Sequence, residues 1–228
     1  MRVLIGPEGD PSTREIDDDA LAGLYAPPAR RWLRANMVSS IDGAATGANG
    51  LSGSLNTPAD HRVFAMLRDA ADVVLVGAGT AEAEGYGPVD VPILVVSRRG
   101  TVPAGLRRGD RAQVLLATCA AAPGLAEARA LLGEDQVLVH GGEEVDLAAV
   151  IDDLDSRGMP HVLCEGGPHL LGDLLAAGLV DEFCLTTAPL WVGGDGPRVV
   201  AAGPLGRPAT LHLMLEEDGT LLTRWLLG

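Results

Sequence analysis

Two patterns alternate along most of the chain: short runs of consecutive apolar residues, and amphipathic stretches with a spacing near 3.6. The runs at 32–38, 73–76, 93–96, 114–117, 137–139 and 162–164 predict buried strands. Between them, Thr57 as N-cap and Pro58 in the first turn open a helix through about residue 71, with Val63, Met66 and Leu67 at helical spacing. Further helices are predicted at 125–132, 147–154 and 170–177, and a short one after Gly77-Ala78-Gly79-Thr80. Strand and helix in alternation predict an α/β fold with a mostly parallel central sheet flanked by helices.

The two ends read differently. Residues 183–187, 211–215 and 221–226 are predicted strands, and Glu216-Glu217-Asp218-Gly219 joins the last two through an Asp-Gly hairpin signal. The expectation is a set of antiparallel C-terminal strands at the sheet edge. At the start, residues 1–5 form a possible strand, 6–19 are polar and acidic, and Pro27-Pro28 forces an extended link. Residues 1–31 are therefore expected to be an N-terminal arm packed on a main domain of residues 32–228. No internal repeat or low-complexity segment interrupts that plan.

Composition narrows the function. With 47% hydrophobic but only 3% aromatic residues, the core must be built from Val, Leu, Ala and Ile. A formal net charge of −14 repels phosphate backbones and anionic lipid, so neither a nucleic acid nor a membrane surface is the expected partner. Cys119, Cys164 and Cys184 are odd in number and widely spaced, which suits reduced thiols. With no charged-then-apolar leader and no apolar run of bilayer length, a cytoplasmic location is expected.

Candidate chemistry lies at two strand–glycine–helix junctions. Residues 73–76 run into Gly77-Ala78-Gly79-Thr80, and residues 162–164 run into Glu165-Gly166-Gly167-Pro168. Glycines there let a ligand approach the backbone, and the free amides of a first helical turn favour an anion. Such junctions sit at the carboxyl ends of strands, where open α/β sheets bind ligands. The Rossmann fingerprint lacks its third glycine, and no Walker-type Gly-Lys-Ser/Thr occurs. Glu165 closes an apolar strand, where a carboxylate is costly unless paired or bonded to a ligand. His140, His161 and His169 lack metal spacing, so no metal site is expected. No GxSxG elbow supports a serine hydrolase.

The ordered series of short motifs resembles a known family. Asn36-Met37-Val38-Ser39-Ser40-Ile41-Asp42-Gly43 is similar to the opening strand of the dihydrofolate-reductase-like fold. Ser52-Gly53-Ser54, Thr57-Pro58-Ala59-Asp60, Leu67-Arg68, Val74-Leu75-Val76-Gly77-Ala78-Gly79-Thr80, Leu163-Cys164-Glu165-Gly166-Gly167-Pro168, Leu179-Val180-Asp181-Glu182 and Ala188-Pro189-Leu190 follow in order. This series resembles the reductase domain of the bacterial riboflavin-pathway deaminase–reductase, a pyrimidine reductase.

The resemblance implies reduction of 5-amino-6-(5-phosphoribosylamino)uracil by NADPH, with hydride delivered to the ring-opened ribose imine, and a homodimer. It places Ser52, Arg68 and Glu165 at the pyrimidine, with Glu165 as the candidate catalytic residue. It places Ser54, Thr80, Glu84, Ser97, Arg98 and the turn Gly167, Pro168, His169, Leu170, Leu171, Gly172 and Asp173 at NADPH; Gly77, Gly79 and Gly166 join them from the junction argument. The sequence departs from the family where Ala44 stands in place of a usual lysine. It departs again at Glu84-Gly85-Tyr86-Gly87-Pro88, which lacks a usual arginine. No deaminase domain lies within these 228 residues. The alternatives left open are a reductase of the same fold acting on another acceptor, such as dihydrofolate, and a non-catalytic nucleotide-binding module.

Overall fold

The computed structural model describes residues 1–7, 14–87, 90–108 and 113–228. Residues 8–13 of the acidic opening and Pro88 of the Glu84–Pro88 segment lie outside the described residues.

The apolar runs form strands β1 (Arg2–Ile5), β3 (Trp32–Ser40), β4 (Val73–Gly77), β5 (Ile93–Val96), β6 (Val114–Thr118), β7 (Val137–Val139), β8 (His161–Cys164), β9 (Glu182–Ala188), β10 (Thr210–Glu217) and β11 (Thr220–Leu226), and Arg14–Glu15 adds a two-residue β2. The helices are α1 (Asp18–Leu24), α2 (Pro58–Asp69), α3 (Ala78–Ala83), α4 (Leu125–Leu132), α5 (Leu147–Ser156) and α6 (Pro168–Ala176). All the strands belong to one sheet, in the order β2-β1-β10-β11-β9-β3-β8-β4-β5-β6-β7. From β9 to β7 every neighbouring pair is parallel, and from β9 to β2 every pair is antiparallel.

Period-2 alternation divides the core between the two faces of this sheet. Val74 and Val76 of β4 join Val63 and Leu67 of α2 and Ala128 of α4 on one face. Val73 and Leu75 of the same strand join Val150 and Leu154 of α5 and Leu171 and Leu174 of α6 on the other. A central strand buried on both faces reads as an unbroken apolar run, which is why β4 is conspicuous in the sequence. Thr57 caps α2 as expected, its side chain accepting from the Asp60 amide at 3.2 Å.

One expectation about the edge is corrected. The β10–β11 hairpin turns at Asp218 and Gly219, both at positive φ (49° and 79°), but it does not form the sheet edge. β1 pairs outside β10 and β2 outside β1, so residues of the 1–31 segment occupy the backbone donors and acceptors that an edge hairpin would expose. Helix α1 is a further element that the sequence pattern does not announce. Asp17 caps it by accepting from the Ala20 amide at 2.9 Å, but its acidic first turn has no apolar period, and Leu21 is its one buried residue. Among the described residues, no helix is long and apolar enough to cross a membrane.

A buried charge cluster ties α1 to the sheet. Glu182 on β9 is 0% exposed and accepts from Arg34 Nε at 2.9 Å, Arg224 Nε at 2.6 Å, Arg224 Nη2 at 2.8 Å and Trp32 Nε1 at 2.9 Å. Arg34 also donates to the Tyr25 carbonyl at 2.7 Å, and Arg224 donates to the Leu24 carbonyl. Burial pushes the Glu182 carboxyl up, but the two guanidinium groups outweigh it and hold the group at about 2. A depressed carboxyl stabilises the fold above its unfolded value and loses that contribution as pH falls toward its folded value. Stability to urea should therefore decline between about pH 4.5 and pH 2. Glu182→Gln should cost about 3–5 kcal/mol at neutral pH, because two buried arginines lose their counter-charge. That deficit should shrink as the wild type is acidified; a pH-independent deficit would show that packing, not charge, accounts for the loss.

Candidate active site

The parallel half of the sheet leaves a crevice where β8 stops. β8 pairs with β3 on one side and β4 on the other. It ends at Cys164, whereas β3 runs on to Ser40 along β9. The chain then turns sharply through Glu165, Gly166 and Gly167 into α6. A cleft of about 410 Å³ opens at this point, at the carboxyl ends of the parallel strands.

The two glycine junctions anticipated from the sequence meet beneath this cleft. The Gly77 amide donates to the Gly166 carbonyl at 2.8 Å. A β-carbon on Gly167 would come within 2.2 Å of Thr80 Oγ1, so the two turns are in close contact and a larger residue there would have to displace the Thr80 hydroxyl. Gly166 has φ +83, and the Gly166–Gly167 peptide is cis. Both α3 and α6 start on a glycine N-cap, Gly77 and Gly167, without a side-chain cap. Their first-turn amides are therefore free for a ligand. Gly79, Thr80, Gly167, Pro168 and His169 line the cleft, and a β-carbon on Gly79 would meet nothing within 4 Å.

Helix α2 supplies the other wall. Ala59, Val63 and Leu67 repeat every fourth residue into the core, and Asp60, Phe64 and Arg68 repeat at the same interval along the cleft. Arg68 donates through Nε to Glu165 Oε1 and through Nη2 to Glu165 Oε2, both at 2.7 Å, a two-pronged pairing. The Tyr86 hydroxyl donates to Oε2 at 2.6 Å. The Arg68 guanidinium stacks over Phe64 at 4.3 Å and near Tyr86 at 5.5 Å. Burial works against the Arg68 charge, but Glu165 raises its pKa nevertheless. Burial followed by the Glu165 charge raises the Tyr86 hydroxyl far above its ordinary value, so it stays a proton donor in a hydrogen bond. Asp60 is also raised, by burial first, with Thr186 and His61 acting in the opposite direction.

The residues singled out from the sequence separate into three sets. Ser52, Arg68, Gly79, Thr80, Glu84, Glu165, Gly167, Pro168 and His169 line the cleft, with the Ser52 amide donating to Glu84 Oε1 at 2.7 Å. Gly77 and Gly166 lie at the junction, and Leu170, Leu171 and Gly172 are buried in α6, where a β-carbon on Gly172 would reach the Ala201 carbonyl at 2.5 Å. Ser54, Ser97, Arg98 and Asp173 do not line the cleft. Ser54 Oγ turns to Asn49 and Leu51, Ser97 Oγ accepts from the Thr101 amide, and Arg98 pairs with Glu144 at 2.9 Å.

Asn36, Asp60, Phe64 and Tyr86 also line the cleft, although no motif in the sequence assigns them a role. The four-residue repeat Asp60, Phe64, Arg68 was a usable signal for two of them. Tyr86 lies 79 residues from Glu165 in the chain, so nothing local announced that contact. Among the described residues, no group of three His, Cys, Asp or Glu could hold a metal ion.

Known proteins resemble this arrangement. Residues 31–224 match the model of the RibD C-terminal domain. A 2,5-diamino-6-ribosylamino-4(3H)-pyrimidinone 5′-phosphate reductase from Methanothermobacter thermautotrophicus is 30% identical over 188 residues, 76% of this chain and 85% of that protein. A protein of the same name from Archaeoglobus fulgidus is 28% identical over 190 residues, 75% of this chain and 86% of that one. The crystal structure of a pyrimidine reductase-like protein from Corynebacterium diphtheriae has a TM-score of 0.81 at 22% identity, covering 93% of this chain and 99% of that one, and so shares the fold. With the family model matched over most of its length, the chain belongs to the RibD C-terminal domain family, the reductases of riboflavin biosynthesis.

Proposed function

We propose that this chain, with residues 32–228 as the reductase domain, is an NADPH-dependent reductase of a phosphoribosylated aminopyrimidine. Its substrate would be of the kind named for its archaeal relatives. The observation that carries the reading is the shared cleft: two glycine turns in contact, with uncapped helix starts, line one cavity together with the Arg68–Glu165–Tyr86 cluster. The open backbone at Gly79 and the uncapped starts of α3 and α6 fit a diphosphate-bearing dinucleotide, and Thr80 and His169 stand beside them.

When bound there, NADPH supplies the hydride. The chain's own residues hold the acceptor. Arg68 uses two of its five N–H donors on Glu165 and keeps the rest for a ring carbonyl. Glu165 Oε1 accepts one bond, so a lone pair remains for a ring amine. The clamp of Arg68 and Tyr86 fixes that carboxylate, and Phe64 offers a flat apolar surface to the heterocycle. Closed around the ligands, the cleft excludes water from the sugar carbon that takes the hydride, and the opened sugar oxygen or nitrogen takes the balancing proton. A cytosolic setting fits three free, buried cysteines and a cofactor kept reduced.

A second reading, the same chemistry on an acceptor without phosphate such as dihydrofolate, draws on one observation. Arg68 is the one Arg or Lys lining the cleft among the described residues, and Glu165 already pairs with it.

Loss of reduced-nicotinamide absorbance with the phosphoribosylated pyrimidine, and none with dihydrofolate, supports the first reading; the reverse result supports the second. Arg68→Ala or Glu165→Ala should lower kcat/KM by roughly a hundredfold or more while NADPH affinity stays within about twofold, since each leaves its partner buried and unpaired. Wild-type rates in both variants would remove these residues from the site. Gly167→Ala should instead weaken NADPH binding by about tenfold or more, because the new methyl collides with Thr80 at the junction. Fluorescence titration of the cofactor reads this directly, and unchanged affinity would place the dinucleotide elsewhere.

A further inference from the structure

Two acidic groups in the cleft stand outside the Arg68–Glu165 clamp; Glu84 accepts from the Ser52 amide, and Asp60 is the more deeply buried of the two. It is 4% exposed, lines the cavity, and makes no ion pair among the described residues. A carboxylate placed in that position by a capped helix, with no cation to satisfy it, suits a ligand that brings paired N–H donors. We propose that Asp60 reads the ring edge of the substrate and selects a 2-amino-4-oxopyrimidine over its deaminated 2-oxo counterpart. The inference rests on the reductase reading given above and names which pyrimidine that site takes.

The geometry of α2 sets the two ends of a slot. Asp60 and Arg68 lie eight residues apart, a rise of about 12 Å along the helix, with Phe64 midway between them. A six-membered ring resting on Phe64 would have one end toward Arg68 and Glu165 and the other toward Asp60. At the first end, spare guanidinium N–H groups suit a 4-oxo oxygen, and Glu165 suits a 5-amino group. At the second, the 2-amino and N3–H groups of a 2-aminopyrimidin-4(3H)-one are adjacent donors, and an ionised carboxylate accepts both.

The deaminated ring presents a 2-oxo acceptor beside N3–H. Against a carboxylate, that oxygen meets a second acceptor and gains no bond. A protonated carboxyl would accommodate the 2-oxo edge, donating to the oxygen and accepting from N3–H. The protonation state of Asp60 therefore decides the preference. Its pKa is raised by burial, with Thr186 of β9 and His61 of α2 opposing the rise, so acidification favours its protonated form sooner than for an exposed aspartate. The other polar and titratable groups of the cleft include Asn36 of β3, the Arg68–Glu165 pair, Tyr86, Glu84 at the end of α3 and His169 of α6.

The test compares both phosphoribosylamino substrates, 2-amino and 2-oxo, with the wild type and Asp60→Asn at neutral pH. The wild type should favour the 2-amino substrate in kcat/KM by about a hundredfold, the scale expected when a buried polar group loses its partner. An asparagine presents one acceptor and one donor, so Asp60→Asn should remove the preference or reverse it, with NADPH affinity unchanged. On acidification the wild-type preference should fall, and the Asp60→Asn variant should lack that acid limb. Equal use of both substrates by the wild type, or a ratio unmoved by the substitution, overturns the assignment of Asp60. Turnover of neither substrate by the wild type overturns the reductase reading instead. Should the variant fail to fold, calorimetry of the wild type with 2,5,6-triaminopyrimidin-4-one and 5,6-diaminouracil keeps the question open to measurement. These bases carry neither sugar nor phosphate. Tighter binding of the triaminopyrimidinone is the expected result, and tighter binding of the diaminouracil, or equal binding of both, counts against the inference.

Discussion

A carboxylate at the end of a strand buried on both faces has to be met by a cation, and in this molecule that requirement organises the cleft. Glu165 follows Cys164 directly, where the apolar β8 stops between two neighbouring strands. Water cannot solvate a carboxylate there as it would on the surface, so an isolated charge would be expelled or neutralised. Arg68 answers it with two short bonds and Tyr86 with a third. Those partners come from α2 and from the segment after α3, which are thereby both fixed against the same cavity. A pairing that first solves a desolvation problem also sets the width of the site.

The Glu182 cluster solves the same problem elsewhere. There the acid lies in β9, and the two arginines that meet it come from β3 and β11. Arg34 and Arg224 also take the carbonyls at the end of α1, so the cluster draws the opening segment onto the sheet. It is sealed from solvent, whereas the Glu165 cluster faces a cavity. That difference separates a structural ion cluster from a binding one, although their chemical composition is similar. Neither cluster activates a thiol: Cys184 donates to Glu182 Oε1 at 3.1 Å, and burial pushes Cys164 up to about 12, which keeps it protonated and inert.

Most of the sheet was legible because strands buried on both faces leave unbroken apolar runs; β4 to β8 all read this way. The helices α2, α4, α5 and α6 were legible from their period and caps. What escaped was relational. The hairpin β10–β11 announced its turn through Asp218-Gly219 but not its place in the sheet, since strand order depends on β1 arriving from the far end of the chain. Helix α2 carries two stripes of equal period, and periodicity alone does not say which faces the core and which faces a cavity. The glycines of the two junctions were visible as turns, but their mutual contact, and the nearness of the Thr80 hydroxyl to Gly167, belong to the assembled fold. Ser97 and Arg98 follow a strand in the expected way, and the structure spends their side chains on Thr101 and Glu144 outside the cleft lining.

The cleft is built in two different materials. Its glycine side consists largely of backbone: amides at the starts of two helices, carbonyls of a tight turn, and glycines whose role is to have no side chain. Backbone recognises charge and shape but is indifferent to the details of a heterocycle, so that side can stay constant while sequences diverge. The α2 side consists of side chains at four-residue intervals, each replaceable without disturbing the helix that carries it. Departures from the family pattern, Ala44 in place of lysine and the missing arginine after Thr80, accordingly leave the glycine junctions intact. In a chain with a net charge of −14, a cleft lined by one arginine among the described residues makes an anionic ligand harder to hold. Recognition must then shift from charge toward hydrogen-bond pattern, the kind of information that Asp60, Arg68 and Glu165 can carry along one slot.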